Sequence, residues 1–234
     1  MTAMAMPKAH GDRAIKGVMA RWYAVNTAEA MNEYVELAER ISGEIAAGAR
    51  VLEVAPGPGY FSIELARQGG FAVTGMDISL TMVRIAREKA MQAGVQVDFQ
   101  QGSASNMPFA KDSFDFLLCR AAFKNFSEPV SALREMCRVL RPGGRALVID
   151  MRGDATREAL DRYVDDMKLS AFNRMMTRWA FRTMLVKSAY TRQHFEQMAA
   201  QTEFSKVEIA EEAIGLEVSM IKAGPMDRVP GIRA

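Results

Sequence analysis

Two hydrophobic patterns alternate along most of this chain. Short, largely apolar runs stand at Val51–Val54, Phe71–Met76 and Phe114–Cys119, and such runs are typical of strands buried inside a parallel sheet. Between them, apolar residues return every three or four positions, which predicts amphipathic helices. Strands that alternate with helices predict an α/β domain with a mostly parallel sheet.

The two ends of the chain depart from this alternation. Residues 1–12 show no periodicity, and we expect them to be disordered. We expect residues 13–234 to form one domain that closes with two strand-like runs, at 206–211 and 216–222.

Two helical segments are placed where they could cover the sheet. Helices are predicted across residues 13–43, before the first strand, and in an insertion at 151–190, after the fifth. An insertion there lies over the carboxyl edge of the sheet, so we expect both segments to form a lid. One face of the insertion carries large apolar residues: Phe172, Met175, Met176 and Trp179. This face could form an apolar wall for a ligand or pack on the domain or on a second subunit, so a homodimer stays open.

Composition narrows the class of function without choosing one. The 234 residues suit one α/β domain, and a net charge of +2 is too mild to favour a nucleic-acid surface. Cys119 and Cys137 fall in a predicted strand and a predicted helix, which favours a reducing compartment over a disulfide framework. No apolar segment reaches the length of a signal peptide or a membrane span. We therefore expect a cytoplasmic protein.

The chemistry is concentrated in the stretch from Val51 to Tyr60, where a strand, a glycine-rich turn and the start of a helix follow one another. Ligands bind at such turns in open α/β sheets. The turn does not fit the Gly-x-Gly-x-x-Gly dinucleotide pattern in either register, and Pro56 and Pro58 remove two N–H donors that a pyrophosphate would need. Glu53 would repel a phosphate but suits a ligand that carries an ammonium and a sulfonium group. S-adenosylmethionine is such a ligand.

Several segments resemble the motifs of class I S-adenosylmethionine-dependent methyltransferases. Glu53-Val-Ala55-Pro-Gly57-Pro-Gly59 is similar to the first motif, acidic-x-Gly-x-Gly-x-Gly, with alanine in place of the first glycine. The Asp77-Ile-Ser-Leu-Thr-Met run is similar to the Asp-x-Ser-x-x-Met pattern of small-molecule methyltransferases. Asp77 also has the spacing from the glycine turn that is expected of a carboxylate bound to ribose hydroxyls. Leu-Arg-Pro-Gly-Gly at 140–144 is similar to a late motif of the family.

The resemblance implies a Rossmann-like, doubly wound sheet of seven strands, mostly parallel, with a C-terminal antiparallel hairpin and a helical lid. It implies S-adenosylmethionine as cofactor and S-adenosylhomocysteine as product. The reaction would be in-line displacement at the sulfonium methyl by O, N, S or C of a small, partly apolar acceptor, without a metal. Three alternatives stay open: an RNA methyltransferase, a catalytically inactive cofactor-binding or assembly protein, and a protein of this fold that uses another one-carbon donor.

The same resemblance predicts the site residues. The cofactor-binding candidates are Arg21, Glu53, Ala55, Gly57, Gly59, Asp77, Ile78, Met82, Ser103, Ala104 and Arg120. Arg21 could meet the cofactor carboxylate, and Ser103 takes the place of the acidic residue that usually lies near the adenine amino group. A general base is optional because positioning can supply much of the rate, but Tyr23, Lys124 and His194 are candidates. Lys124 and Asn125 could also bind or orient a polar acceptor.

Overall fold

The computed structural model describes residues 31–167, 171–181 and 186–224. The helices are α1 (Met31–Glu44), α2 (Tyr60–Gln68), α3 (Leu80–Ala93), α4 (Pro129–Val139), α5 (Arg157–Asp166), α6 (Ala171–Ala180), α7 (Val186–Ser188) and α8 (Arg192–Ala199), with a 3₁₀ turn at Phe123–Asn125. The strands are β1 (Arg50–Val54), β2 (Ala72–Asp77), β3 (Asp98–Gln101), β4 (Phe114–Arg120), β5 (Leu140–Met151), β6 (Phe204–Glu211) and β7 (Gly215–Lys222).

The strands form one seven-stranded sheet in the order β3-β2-β1-β4-β5-β7-β6. β1 to β5 pair in parallel, and β7 lies antiparallel between β5 and β6. The predicted fold class, with its closing antiparallel hairpin, is confirmed. The strand order reverses between β1 and β4, which opens a crevice at their carboxyl ends.

Helices cover both faces of the sheet because the central strands are apolar on both sides. In β4, Phe116, Leu117 and Leu118 are all buried. Phe116 and Leu118 belong to the cluster that includes Ile41 of α1 and Phe61 of α2, whereas Leu117 packs in the cluster that holds α4 and α8. This two-sided core holds the carboxyl ends of the strands, and the loops that follow them, at one edge of the domain.

Local signals set several of the helix ends. The Ser79 hydroxyl accepts a hydrogen bond from the Met82 N–H at 3.3 Å and begins α3. Thr191 begins α8 in the same way, and Gly69 ends α2 with φ 75°. Polar N-caps and glycine C-caps are recognisable in sequence because they act within a few residues.

Two boundaries differ from what the local sequence pattern predicts. Val95, Val97 and Phe99 alternate with polar residues, a pattern typical of a strand, but β3 begins only at Asp98. A Pro-Gly-Gly segment is typical of a turn, but here it lies inside β5. There β4 pairs Phe114 with Leu140 and then Phe116 with Arg145, so the segment bulges out of an otherwise continuous pairing. Gly143, at φ 80°, adopts the backbone conformation that such an irregularity needs.

The insertion at 151–190 contains helices, as predicted, but α6 presents an unusual face. Arg178 is bonded to Asp165 of α5, and Arg174 also lies 3.9 Å from that carboxylate. Met175 and Trp179 are 59% and 56% exposed. Arg174 and Arg178 of α6 therefore turn toward the protein, and Met175 and Trp179 turn toward solvent.

Two further predictions can be compared only in part. Of the predicted N-terminal helices at 13–43, the structure describes α1, and the prediction for residues 1–12 lies outside the described ranges. Within the described ranges, no helix combines the length and the apolar character needed to cross a bilayer.

Candidate functional site

A cavity lies at the carboxyl ends of β1 to β4, at the point where the strand order reverses. Most of the predicted cofactor residues line it: Glu53, Ala55, Gly57, Asp77, Ile78, Met82, Ala104 and Arg120. Residues far apart in sequence thus come together because parallel strands deliver their carboxyl ends to one edge.

Glu53 is a buried carboxyl group in the wall of this cavity. Its Oε2 accepts hydrogen bonds from the Ser62 N–H, at 3.0 Å, and from the Ser62 hydroxyl. Burial, the largest influence, raises the pKa of Glu53 to about 7, against the Ser62 hydrogen bonds, which lower it. A cation that approached this carboxyl group would favour its ionised form.

Asp77 connects the first turn to the start of α3. Its Oδ2 accepts from the Gly57 N–H at 3.0 Å, and its Oδ1 accepts from the Ser79 N–H at 2.8 Å. A carboxylate has about four acceptor sites, so these two bonds leave capacity on both oxygens. Burial raises the pKa of Asp77 above its usual value.

The first turn contains a backbone conformation that glycine would favour. Ala55 has φ 56°, in the left-handed region, and stands where the resembled motif usually has glycine. The left-handed conformation costs an alanine roughly 1–2 kcal/mol, which a glycine would not incur.

Gly59 has a different role from Gly57 in the same turn. A Cβ added at Gly59 would lie 2.5 Å from the ring of Phe99, which packs beneath the turn. Gly57 lines the cavity, whereas Gly59 does not. Glycine is therefore required at 59 both by this packing and by the backbone, which has φ 79° there.

The opposite end of the cavity is bounded by apolar residues. Met82 is buried and Ile78 is 36% exposed, and both line the wall together with Ala104. Ser103 does not line the cavity, and its hydroxyl lies 3.0 Å from the Ser105 hydroxyl. The structure thus brings Ile78, Met82 and Ala104 together but leaves the Ser103 side chain in a local turn.

Arg120 connects the end of β4 to α1. It forms an ion pair with Glu33, and its guanidinium carbon lies 4.4 Å from the centre of the Tyr34 ring. Tyr34 also lines the cavity. Tyr34 shares helical spacing with Ala38 and Ile41, which are core residues of α1, and no local signal in the sequence distinguishes it from them.

Lys124 lies buried behind the cavity wall rather than in it. Its Nζ donates to Asp150 Oδ1 at 2.7 Å and to the Ala121 carbonyl at 2.8 Å, and its N–H donates to Asp150 Oδ2 at 2.9 Å. Ala121 is another left-handed alanine, with φ 56°. These bonds shape the turn after β4, which lines the cavity with Ala121, Ala122, Asn125 and Phe126.

His194 is also buried outside the cavity lining. Its Nδ1 accepts from the Thr191 N–H at 3.2 Å in the capping box of α8. Its Nε2 has no hydrogen-bond partner among the residues described. The other predicted residues, Arg21 and Tyr23, lie outside the described ranges.

Comparison with known proteins links this architecture to one family. Residues 52–148 match the family model described as a methyltransferase domain. Over 102 residues, 43% of this chain, the sequence is 39% identical to a demethylmenaquinone methyltransferase of Deinococcus radiodurans. Over 105 residues it is 38% identical to the ubiquinone/menaquinone biosynthesis C-methyltransferase of Bdellovibrio bacteriovorus. These matches span 42% and 45% of the two relatives, less than half of each protein.

A solved structure extends the likeness beyond the matched stretch. A protein of Methanococcus maripaludis, provisionally assigned as an S-adenosyl-L-methionine-dependent methyltransferase, superposes with a TM-score of 0.73. The superposition covers 90% of this chain and 95% of that protein, at 20% sequence identity. At that identity the likeness establishes the shared fold, while function depends on the site.

Proposed function

We propose that this chain transfers a methyl group from S-adenosylmethionine to a small, partly apolar acceptor. The match of residues 52–148 to a methyltransferase domain and the class I methyltransferase fold support this proposal. The proposal rests on the polar groups that line the cavity where the strand order reverses. Two buried carboxyl groups, those of Glu53 and Asp77, face this cavity, and the turn after β1 that lines it contains Pro56 and Pro58. This set suits a cationic nucleoside without phosphates.

Within this proposal, the two carboxyl groups hold the two polar parts of the cofactor. Asp77 accepts hydrogen bonds from the ribose hydroxyls through the capacity that Gly57 and Ser79 leave on its oxygens. Glu53 compensates the ammonium group, which offsets the cost of ionising a buried carboxyl. Ile78, Met82 and Ala104 provide the apolar surface for the adenine.

Bound S-adenosylmethionine supplies an electrophilic methyl group, so the protein's task is to orient an acceptor and exclude water. The turn after β4 provides the acceptor side, with Ala121, Ala122 and Phe126 as an apolar wall. Holding the acceptor in line in a site of this kind can supply much of the rate without a general base. We assign Lys124 a positioning role, because both of the side-chain bonds that its Nζ makes go to protein oxygens.

The acceptor class follows from this wall and is favoured by the relatives. Apart from the neutral Asn125 carboxamide, this wall is apolar, so it suits a neutral ring compound better than a charged compound. The relatives described as demethylmenaquinone and ubiquinone/menaquinone methyltransferases are named for quinone compounds of that kind. We propose a quinol or phenol-like acceptor for this chain.

We propose further that α1 and the insertion at 151–190 act as a lid. Tyr34 and the Glu33–Arg120 ion pair place α1 against the cavity. Tyr163 of α5 lies close enough to Glu33 and Arg120 for both charges to act on its hydroxyl, although burial is the main cause of its raised pKa. Helix α5 of the insertion thus lies near the ion pair that joins α1 to the end of β4.

Calorimetry and a transfer assay test the proposal together. S-adenosylhomocysteine should bind with one-to-one stoichiometry, whereas NAD should not. Incubation with S-adenosylmethionine carrying a labelled methyl group should then label members of a panel of unmethylated quinols and phenols. Absence of binding, or preferential binding of NAD, would overturn the cofactor assignment. Binding without transfer to the panel would overturn the acceptor class.

A further inference from the structure

One polar side chain of the cavity stands apart from the rest. The lining includes six polar side chains, those of Tyr34, Glu53, Asp77, Ser79, Arg120 and Asn125. Glu53, Asp77 and Arg120 are bonded to protein groups, the Ser79 hydroxyl caps α3, and Tyr34 stacks with Arg120. The Asn125 carboxamide makes no hydrogen bond to the part of the chain that the structure describes, and it is exposed.

The turn that carries Asn125 is held from behind at several points. Lys124 bonds through both its N–H and its Nζ to Asp150, and its Nζ also bonds to the Ala121 carbonyl. Phe123 is fully buried, with ring centres of Phe126, Tyr190 and Phe195 at 5.3, 5.7 and 5.1 Å. Asn125 thus occupies a fixed place on the cavity wall.

This construction is a costly way to close a loop. A buried Lys–Asp pair contributes little net stability compared with apolar residues of the same size. Ala121 adds a strained left-handed conformation to the same turn. Because strain and buried charge lie beside the cavity, we infer that the position of this turn matters for the side chain that it holds there, that of Asn125.

The neighbours of Asn125 on this wall are apolar. The other residues that this turn contributes to the lining are Ala121, Ala122 and Phe126, and a carboxamide both donates and accepts hydrogen bonds while carrying no charge. Such a group suits a neutral hydroxyl or carbonyl on an otherwise apolar molecule. It does not compensate an ionised group.

We propose that Asn125 is a specificity-determining residue: its carboxamide hydrogen-bonds a hydroxyl or carbonyl of the acceptor, and Lys124 and Asp150 act as positioning residues that hold it in place. The inference rests on the proposed function for the identity of the acceptor side. The polar contact itself can be tested without turnover.

The test uses a matched pair of probes, 1-naphthol and naphthalene, which differ by one hydroxyl group. Affinities are measured by NMR titration, with and without S-adenosylhomocysteine, for the wild type, Asn125→Ala and Asn125→Leu. Asn125→Leu keeps the branched shape of the side chain but removes its polar groups. Asn106→Ala is the control, because Asn106 is exposed and lies outside the cavity lining.

The wild type should prefer 1-naphthol by about fivefold, the size of one net neutral hydrogen bond. Both Asn125 variants should lose that preference while keeping their affinity for naphthalene, and Asn106→Ala should keep the preference. The inference is overturned if the wild type shows no preference or if Asn125→Ala retains it. Failure to bind S-adenosylhomocysteine would count against the proposed function instead, because the probe comparison is also made without it.

Discussion

Replacing Glu53 by glutamine tests whether the ionised carboxylate of Glu53 binds the ammonium group of the ligand. The pKa of Glu53 is raised from 4.5 to about 7 by burial, so at pH 6 only about a tenth of the carboxyl groups are ionised. If a ligand ammonium group binds only the ionised form, affinity at pH 6 should be about tenfold weaker than at pH 8. Glu53→Gln should bind more weakly at pH 8 and lose this pH dependence, since the amide does not titrate there.

Stability should change in the opposite direction. The folded pKa lies above the unfolded value, so the folded state binds more protons between pH 4.5 and 7 and loses stability as pH rises through that window. A shift of this size corresponds to a cost of about 3 kcal/mol above pH 7. Glutamine avoids the cost, and its amide oxygen can still accept the hydrogen bonds from the Ser62 N–H and hydroxyl. Glu53→Gln should therefore melt at a higher temperature than the wild type at pH 8.

Calorimetric titration with S-adenosylhomocysteine from pH 6 to 8.5 measures the affinity, and thermal melts at the same pH values measure the stability. 5′-Methylthioadenosine is the control ligand, because it shares the adenosine group but lacks the ammonium. Its affinity should not show the Glu53-dependent change. Equal pH profiles for the two ligands, or an unchanged profile in Glu53→Gln, would refute the assignment of Glu53 to the ammonium group.

Three further substitutions test other parts of the site. Ala55→Gly should stabilise the fold by about 1 kcal/mol in thermal melts because φ at this position is 56°, whereas Ala104→Gly, without a positive φ, should not; equal effects would contradict the strain argument. Asp77→Asn should weaken S-adenosylhomocysteine binding at least tenfold in calorimetry, while the exposed Asp98→Asn should leave it unchanged, and a smaller loss would exclude the ribose role. Lys124→Met should cost about 3–5 kcal/mol in denaturant unfolding by leaving Asp150 buried without its partner, and adding Asp150→Asn should restore part of that loss; additive losses would show that the pair is not coupled.

The predictable part of the fold came from signals that act over short distances. The Ser79 and Thr191 caps and the Gly69 stop depend on neighbouring backbone groups, so their sequence signatures are local. The bulge around Gly143 was not predictable, because it depends on how β5 meets β4 across the sheet. The same Pro-Gly-Gly segment would form an ordinary turn if no neighbouring strand drew it into the pairing.

The candidate site divides along the same line. The acidic residue near the end of β1, the glycine turn and Asp77 are recognisable in the sequence because a ligand at the end of a parallel strand constrains residue types at fixed spacing. The sequence alone thereby determined the fold class and the edge of the sheet at which the cavity lies. Only the tertiary structure decided that Tyr34 and Phe126 share one cavity and that Lys124 turns away from it toward Asp150. These positions depend on contacts between elements that are distant in sequence, so no local sequence pattern predicts them.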